Sequence, residues 1–489
     1  MASDAHENVP AQVMGAPLQL LPDSDKVLNE LDALEPAYLR RRTLMDGPDS
    51  NAPDYVAAQA EALGQRLGDQ AASLFDAAVT ARARLKRVTL NSVARLALAR
   101  GQWDVARHLA GEVVARDHHD LVAQRIIDAS YERSPTLETE VDRWLASRRC
   151  NAPFDQIETR VNRSVHFCCS AWQPVPIGRI DSSDGGDFWT SAAAAEIRRS
   201  VTEGDFTHCS RWHCPAIATR RLPHAPARAQ AGGVLPKPLV PAAPRRVILS
   251  HDRSCNLACP SCRNKLILMD HAASDRLDDM VERCLLPLLE SAKQIKVTGS
   301  GDPFGSRHFR SVLKSLCRQQ VAGRRIQLHT NGLLASERAW NELGLWDKVS
   351  SVWVSVDAAD EATYAELRRG GSFAQLLPAL RFLGTLRAGG AIDSLRLDFV
   401  VQAVNFDEMG DFVDLAQRVG ADGVYFLRLR NWGNQSAEAF RRIDVCDQAH
   451  PEYPLLLRRL TDPRLAQAHV DLGSLATLRR VAGPTLRYA

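Results

Sequence analysis

Residues 246–262 read RVILSHDRSCNLACPSC: a short apolar run at 246–250, then three cysteines within eight positions, Cys255, Cys259 and Cys262. The apolar run, bounded by polar residues, predicts a buried strand. The loop after it brings three thiols within reach of one another, the donor set of a zinc ion or an iron–sulfur cluster. A structural zinc site closes with four protein ligands. Here only three cysteines are local, and the fourth ligand is His251 or a distant residue. A four-iron cluster on three cysteines keeps one iron open, and an open position is the mark of a site that does chemistry.

Downstream, the pattern alternates. Strand-like runs at 246–250, 295–298, 326–329, 352–356, 395–401 and 424–427 are separated by stretches with helical periodicity at 275–290, 309–320, 373–386 and 409–419. Strands alternating with helices predict βαβ units and a parallel sheet, either doubly wound or an open barrel. Nearly every strand is followed by polar residues: HDRSCNLACPSCR after the first, GSGDPFGS (299–306) after the second, Thr330-Asn331-Gly332 after the third, Ser355-Val356-Asp357 closing the fourth, Asn405 beyond the fifth, and RLRNWGN from Arg428 after the sixth. Ligands of β/α folds bind at the carboxyl ends of the strands. An ordinary helix cap accounts for any one of these loops; six together, with three cysteines in the first, predict an enzyme site.

Cys255-Asn-Leu-Ala-Cys259-Pro-Ser-Cys262 resembles the signature of the radical S-adenosylmethionine (radical SAM) superfamily, and the supporting motifs follow in order over 245–435. Gly299-Ser300-Gly301-Asp302-Pro303 resembles the GGEP motif that lines the methionyl amine, with Asp302 in place of glutamate. Asn331-Gly332 resembles the turn after the third strand. Ser355 and Asp357, which period two places on one face, resemble the fourth-strand motif near the ribose and carboxylate. Arg368, in YAELRRGGSF, resembles the arginine that reaches the cofactor carboxylate; the alternative is a surface helix arginine. Ser261 stands where the superfamily often has an aromatic residue. The resemblance implies an α/β fold with a partial (β/α)6 barrel, a [4Fe-4S] cluster on Cys255, Cys259 and Cys262, and S-adenosyl-L-methionine chelated at the open iron. It implies one-electron cleavage to a 5′-deoxyadenosyl radical that abstracts hydrogen from a substrate, with an electron donor such as flavodoxin or ferredoxin.

Residues 151–217 are short, turn-rich and cysteine-bearing. The segment from DFWTSAAAAEIRRS to HCSRWHCP resembles a SPASM or twitch auxiliary-cluster domain, although such domains usually follow the barrel. The resemblance implies a second, auxiliary [4Fe-4S] cluster on Cys168 or Cys169 with Cys209 and Cys214, and all four are expected metal ligands. His208 and His213 are competing ligands, and a small zinc site is the alternative. Cys150, Cys284, Cys317 and Cys446 are scattered and read as small buried hydrophobes.

Around these segments the chain divides into a mostly disordered 1–50 with a weak helical stretch near 26–41, a helical, TPR-like region at 51–150 with breaks near Gly101 and Asp120, the cysteine domain at 151–217, a Pro/Ala-rich linker at 218–243, the barrel at 244–435 and an extension at 436–489. With 61 basic against 58 acidic residues the net charge is +3, which gives no ground for a nucleic-acid surface. No apolar run is long enough for a membrane span and no secretory signal is visible, so the expected location is cytoplasmic. An odd count of 11 cysteines argues against a disulfide framework. SPASM-bearing relatives imply a peptide or protein substrate, modified as maturases modify theirs; a sugar or other small molecule, oxidised or epimerised, is the alternative, and a non-catalytic iron–sulfur sensor is the alternative of another class. Arg428, Arg430 and Asn431 are expected to face the substrate, and Asp398 and Tyr425 are candidate proton-handling groups.

Overall fold

The computed structural model describes residues 22–34, 52–68, 71–117, 119–181, 187–225, 240–297, 300–319, 321–431, 435–476 and 478–479. Six strands form its centre: β4 (Arg246–Leu249), β5 (Gln294–Val297), β6 (Arg325–Thr330), β7 (Val349–Ser355), β8 (Ser394–Val401) and β9 (Gly423–Arg428). All five pairings among them are parallel and join sequence neighbours. Each crossover carries at least one helix, as parallel pairing requires. This is the partial six-unit β/α barrel, and each expected strand lies within three residues of its place.

The sheet runs past both ends of the six. β1 (Gln156–Thr159) pairs parallel with β4, followed by antiparallel β2 (Ser164–His166) and β3 (Gly178–Arg179), and β10 (Val470–Asp471) pairs parallel with β9, giving ten strands in one sheet. Strand β4 alone would leave a row of unpaired backbone groups at the barrel edge; Gln156–Thr159 satisfies it. The cysteine-bearing stretch, expected to be turn-rich, thus contributes strands to the barrel's own sheet. The 218–243 linker falls largely outside the described residues.

One face of the sheet is apolar. Val247, Leu249, Ile295, Val297, Leu328, Val352, Val354, Leu397, Phe399 and Phe426 are buried there with Leu313, Trp340, Leu380, Leu383 and Phe412 of the covering helices. On the opposite face the alternate residues include the half-buried polar side chains of Lys296, Gln327, His329, Ser351 and Ser355. Period-two alternation therefore separates a packed outer layer from an open, wettable lumen. The helical stretch expected at 275–290 is two helices, His271–Cys284 and Leu286–Ser291; Pro287, which lacks an N–H, sits in the first turn of the second.

The amino-terminal helices have a separate core. Arg87–Ala99 and Trp103–Arg116 flank Gly101, whose φ of +73° only glycine adopts freely, and Asp120 caps Leu121–Tyr131 through the Ala123 N–H. A helix at Pro22–Asp32 overlaps the helical stretch expected near 26–41 and starts four residues earlier: Val27, Leu28 and Leu31 are buried against this core. The first 21 residues and 35–51 lie outside the described residues. Among the described residues no helix is long and apolar enough to cross a membrane.

Candidate functional site

The cysteine loop leaves the end of β4 and is tied to the next strand's loop. Asp252 Oδ1 accepts from Ser254 N (2.8 Å) and Oγ (2.9 Å), and its other oxygen accepts from Ser306 Oγ. The Asp302 N–H donates to Ser254 O at 2.9 Å. A Cβ on Gly301 would stand 2.5 Å from Ser254 O and 2.7 Å from Asp252 O, so the two loops touch only because residue 301 is glycine. Cys255 N donates to Ile267 O and Ala258 N to Arg369 O, both at 2.9 Å, which fixes the loop from two more sides.

The three thiols form one small cluster with Leu257 and Leu333, with Cys255 and Cys259 buried. Each has a donor beside its sulfur: Asn331 Nδ2 at 3.6 Å from Cys255, Arg368 Nη1 at 3.8 Å from Cys259, Arg263 Nη2 at 3.3 Å from Cys262. Burial pushes the Cys255 thiol up to about 11 and raises Cys259 as well. Deprotonating these thiols therefore needs a cation, while the donors around them suit sulfur that carries negative charge. Among the described residues, no three Cys, His, Asp or Glu side chains stand close enough to ligate a single metal ion. His251 is not the fourth ligand: its buried ring is held by Thr159 Oγ1 (2.7 Å) and His308 Nε2 (2.9 Å), and His308 is bonded in turn to Asp278.

Asp302 holds the second and third loops together. Its Oδ1 accepts from Phe304 N (2.9 Å) and Gly305 N (3.0 Å), its Oδ2 from Thr330 Oγ1 (2.7 Å) and Asn331 N (2.8 Å). The carboxylate expected to receive an ammonium is thus filled by the chain's own donors. Ser300 O accepts from Arg263 at 2.6 Å, and Asn331 Nδ2 donates to Asn256 Oδ1 at 2.9 Å. Gly299 lies outside the described residues.

Ser355 and Asp357 part company. Ser355 faces the lumen, with Oγ 3.0 Å from His329 Nε2. Asp357 lies beyond the strand with φ +64°, a conformation open to Asp and held by Asn405 Nδ2 on its carbonyl (2.9 Å), so the alternation is broken. Its buried carboxylate accepts from Val400 N (2.8 Å) and pairs with Arg368 (2.7 Å). Arg368 is not a surface arginine: it is 9% exposed and reaches Asp357 and Cys259 together. The buried Tyr364 hydroxyl, which senses Arg368, Cys259 and Asp357, has no hydrogen-bond partner among the described residues. A buried hydroxyl near Cys259 that the chain itself leaves unsatisfied is a group that a bound ligand can serve.

Below this mouth the lumen is charged. Arg396 forks onto Asp398 (2.6 and 2.8 Å), and His329 stands 3.3 Å from the same carboxylate. The Arg396 guanidinium lies 3.4 Å from the Trp353 ring centroid and 4.6 Å from that of Tyr425. Asp398 and Tyr425 thus both line the lumen. Of the residues after the last strand, Arg428 is paired with Asp444 (2.6 Å), Arg430 donates to His213 O (3.4 Å), and Asn431 bonds Gln435 O (2.9 Å).

The upstream cysteines are grouped differently from the expectation. Cys168, Cys209, Cys214 and Cys150 act on one another electrostatically; burial raises all four, Cys150 to about 11. Cys150, Cys209 and Cys214 pack on one small apolar core around Leu145, Phe206 and Ile217. Cys169 also senses Cys168, but its other charged neighbours are Glu158, Arg160 and Arg430, on the barrel side. Cys150, read as a bystander, stands with Cys168, Cys209 and Cys214 as well, and nothing in its local sequence marks it. His208 faces Glu196 (3.5 Å) and His213 packs on His119 (5.5 Å between centroids). The helical region grips this loop through Gln124 on Ser210 (2.9 Å), Asp142 on Arg211 (2.7 Å) and Asp128 on Trp212 (2.9 Å).

No family model matches the chain. Over 200 residues it is 24% identical to a "Probable GTP 3',8-cyclase" of Saccharolobus islandicus (strain Y.N.15.51 / Yellowstone #2), the match covering 38% of this chain and 57% of that protein. Over 196 residues it is equally similar, 24%, to a "Probable GTP 3',8-cyclase" of Sulfurisphaera tokodaii, covering 38% and 56%. The chain thus spans little more than half the length of these relatives. Among solved structures it is similar to Streptococcus suis SuiB bound to S-adenosylmethionine, with TM-score 0.31 and 14% identity over 47% of each chain.

Proposed function

We propose that this chain, an enzyme of the radical SAM superfamily, holds a [4Fe-4S] cluster on Cys255, Cys259 and Cys262 and acts on a substrate bound in the barrel lumen. The observation that carries the reading is the convergence of three thiols with Asn331, Arg263 and Arg368, each aimed at a different sulfur. A cluster on these three cysteines, with S-adenosyl-L-methionine bound, would supply the radical chemistry for hydrogen abstraction. The chain's part is to bind, orient and exclude water. Gly301 and Ser300 present backbone at close range to the cysteine loop, Asn331 and Asn256 present side-chain amides, and the Arg368–Asp357 pair offers a cation and a carboxylate that would serve the cofactor's charged groups. Electrons come from a small donor of the flavodoxin or ferredoxin type, and the reading goes with a cytoplasmic location.

A second cluster fits Cys150, Cys168, Cys209 and Cys214. The shared burial and mutual electrostatic contact of these thiols support that reading, with a zinc ion as the alternative. The substrate is a peptide or protein, modified as by a maturase. A small molecule is the second reading, favoured by the relatives whose name specifies a nucleotide and by the charged lumen.

The test is anaerobic reconstitution with iron and sulfide, followed by reductant and S-adenosyl-L-methionine. Formation of 5′-deoxyadenosine that disappears in the Cys255→Ala/Cys259→Ala/Cys262→Ala variant supports the reading. No cleavage by a cluster-loaded sample overturns it in favour of a sensor.

A further inference from the structure

The charges on the lumen face do not balance. Arg160, Arg246, Lys296 and Arg396 project among two carboxylates, Glu158 and Asp398; a third, Asp155, which also acts on Arg246, is paired with Arg245 at 3.5 Å. Each carboxylate already has an arginine: Arg160 pairs with Glu158 (2.7 Å) and Arg396 with Asp398 (2.6 Å). Two cations are left over. Arg246 donates to the neutral Gln327 Oε1 at 3.2 Å. Lys296 makes no hydrogen bond or ion pair with any described residue; its Nζ rests 3.7 Å from the Trp353 ring centroid, the ring that Arg396 also covers.

The register brings these two together. Arg246 of β4 is opposite Gln294 of β5, two residues before Lys296 on the same face, so the two cations are diagonal neighbours on paired strands. Like charges so placed repel, and in a half-buried lumen the repulsion is poorly screened. Trp353, against which Lys296 lies, precedes Ser355 by two residues, or about 7 Å along the strand below the mouth.

We propose that Lys296 and Arg246 form a subsite for an oxyanion, a carboxylate or phosphate group carried by the substrate, with Trp353 and Arg396 as its wall. The inference rests on the reading of the lumen as the substrate chamber and deepens it by naming a chemical feature of the substrate. Burial pushes Lys296 down to about 7, against the pull of Asp398 and Glu158 and with the push of Arg396 and Arg246; His329 faces it as well. An anion seated there restores the proton, so binding takes up protons at pH 8.

The experiment is calorimetric titration of the full, cluster-loaded chain at pH 8 with inorganic pyrophosphate and, separately, with succinate, at matched ionic strength and in two buffers of different ionisation enthalpy. One probe is expected to saturate at one per chain with proton uptake. Its affinity falls by roughly tenfold or more in Lys296→Met and in Arg246→Met, and is unchanged in Lys293→Met on the exposed surface. Saturation by pyrophosphate identifies a phosphate group, by succinate a carboxylate. Neither probe saturating, or equal binding to Lys296→Met, overturns the subsite as an adventitious ion effect. The same samples are assayed for 5′-deoxyadenosine: cleavage without saturable probe binding overturns the subsite alone, and probe binding without cleavage overturns the radical-enzyme reading alone.

Discussion

Arg368 and Asp357 form an ion pair at 2.7 Å at the mouth of the barrel, and the same guanidinium stands 3.8 Å from the Cys259 sulfur. One cation thus serves the carboxylate that ends the fourth-strand motif and a thiol of the cysteine loop. Both partners are nearly closed to solvent, at 9% and 2% exposure, so removing either leaves a charge without its partner. Breaking such a pair costs about 3–5 kcal/mol. Arg368→Met is expected to lower the free energy of unfolding in urea by that scale, and Arg368→Met/Asp357→Asn to recover part of the loss, since no charge is then stranded. A double-mutant cycle with no coupling between the two positions would show that the pair does not hold the mouth together.

The second cysteine group makes a prediction about adjacent residues. Cys168 belongs with Cys150, Cys209 and Cys214, whereas Cys169 also meets Glu158, Arg160 and Arg430 on the barrel side. After anaerobic reconstitution, Cys150→Ser is expected to lower iron by about one four-iron cluster per chain, and Cys169→Ser to leave iron unchanged. Cleavage of S-adenosyl-L-methionine should persist in both, because the loop at 255–262 is untouched. Iron loss from Cys169→Ser with none from Cys150→Ser would reverse the assignment.

Two glycines separate effects on the site from effects on the fold. A Cβ on Gly301 meets the backbone oxygens of Ser254 and Asp252, and one on Gly384 meets Val419 O. Overpacking of this kind costs about 1–3 kcal/mol. Gly384→Ala should lower thermal stability and leave cluster content per folded chain as it was. Gly301→Ala should instead displace the cysteine loop and lower the absorbance of the reconstituted cluster more than it lowers stability. Equal cluster content in the two variants would mean that the loop does not depend on that contact.

The barrel was legible because its strands carry alternating apolar residues and each ends in a polar loop, both local signals. The cysteine loop was legible because its spacing is local too. What escaped is long-range. β1, four residues long, has no periodicity of its own and is a strand because β4 offers it an edge. Cys150 joins Cys168, Cys209 and Cys214 across as many as 64 positions. Asp357 leaves the face of Ser355 because a positive φ, held by the distant Asn405, interrupts the alternation. Lys296 occupies an ordinary strand position, and only the pairing of the strands reveals that it has no carboxylate of its own.

That missing partner gives Lys296 a signature in the dependence of stability on pH. Its folded-state pKa, about 7, lies below the ordinary lysine value of 10.5 because burial disfavours the ammonium. Between these values the unfolded chain binds more protons than the folded one, so the contribution of Lys296 to stability is present above 10.5 and is lost as pH falls toward 7. The slope approaches about 1.4 kcal/mol per pH unit inside that window. Methionine at 296 keeps the stem against Trp353 and removes the titration. Lys296→Met should therefore gain stability relative to the parent as pH is lowered from 10 to 7, measured by urea unfolding in an amine buffer free of oxyanions. Adding the oxyanion that binds should shrink the gain, because the parent then has a partner for its ammonium. A difference between the two proteins that stays constant across this range would mean that Lys296 is well solvated, with its charge carried by water rather than held against the lumen wall.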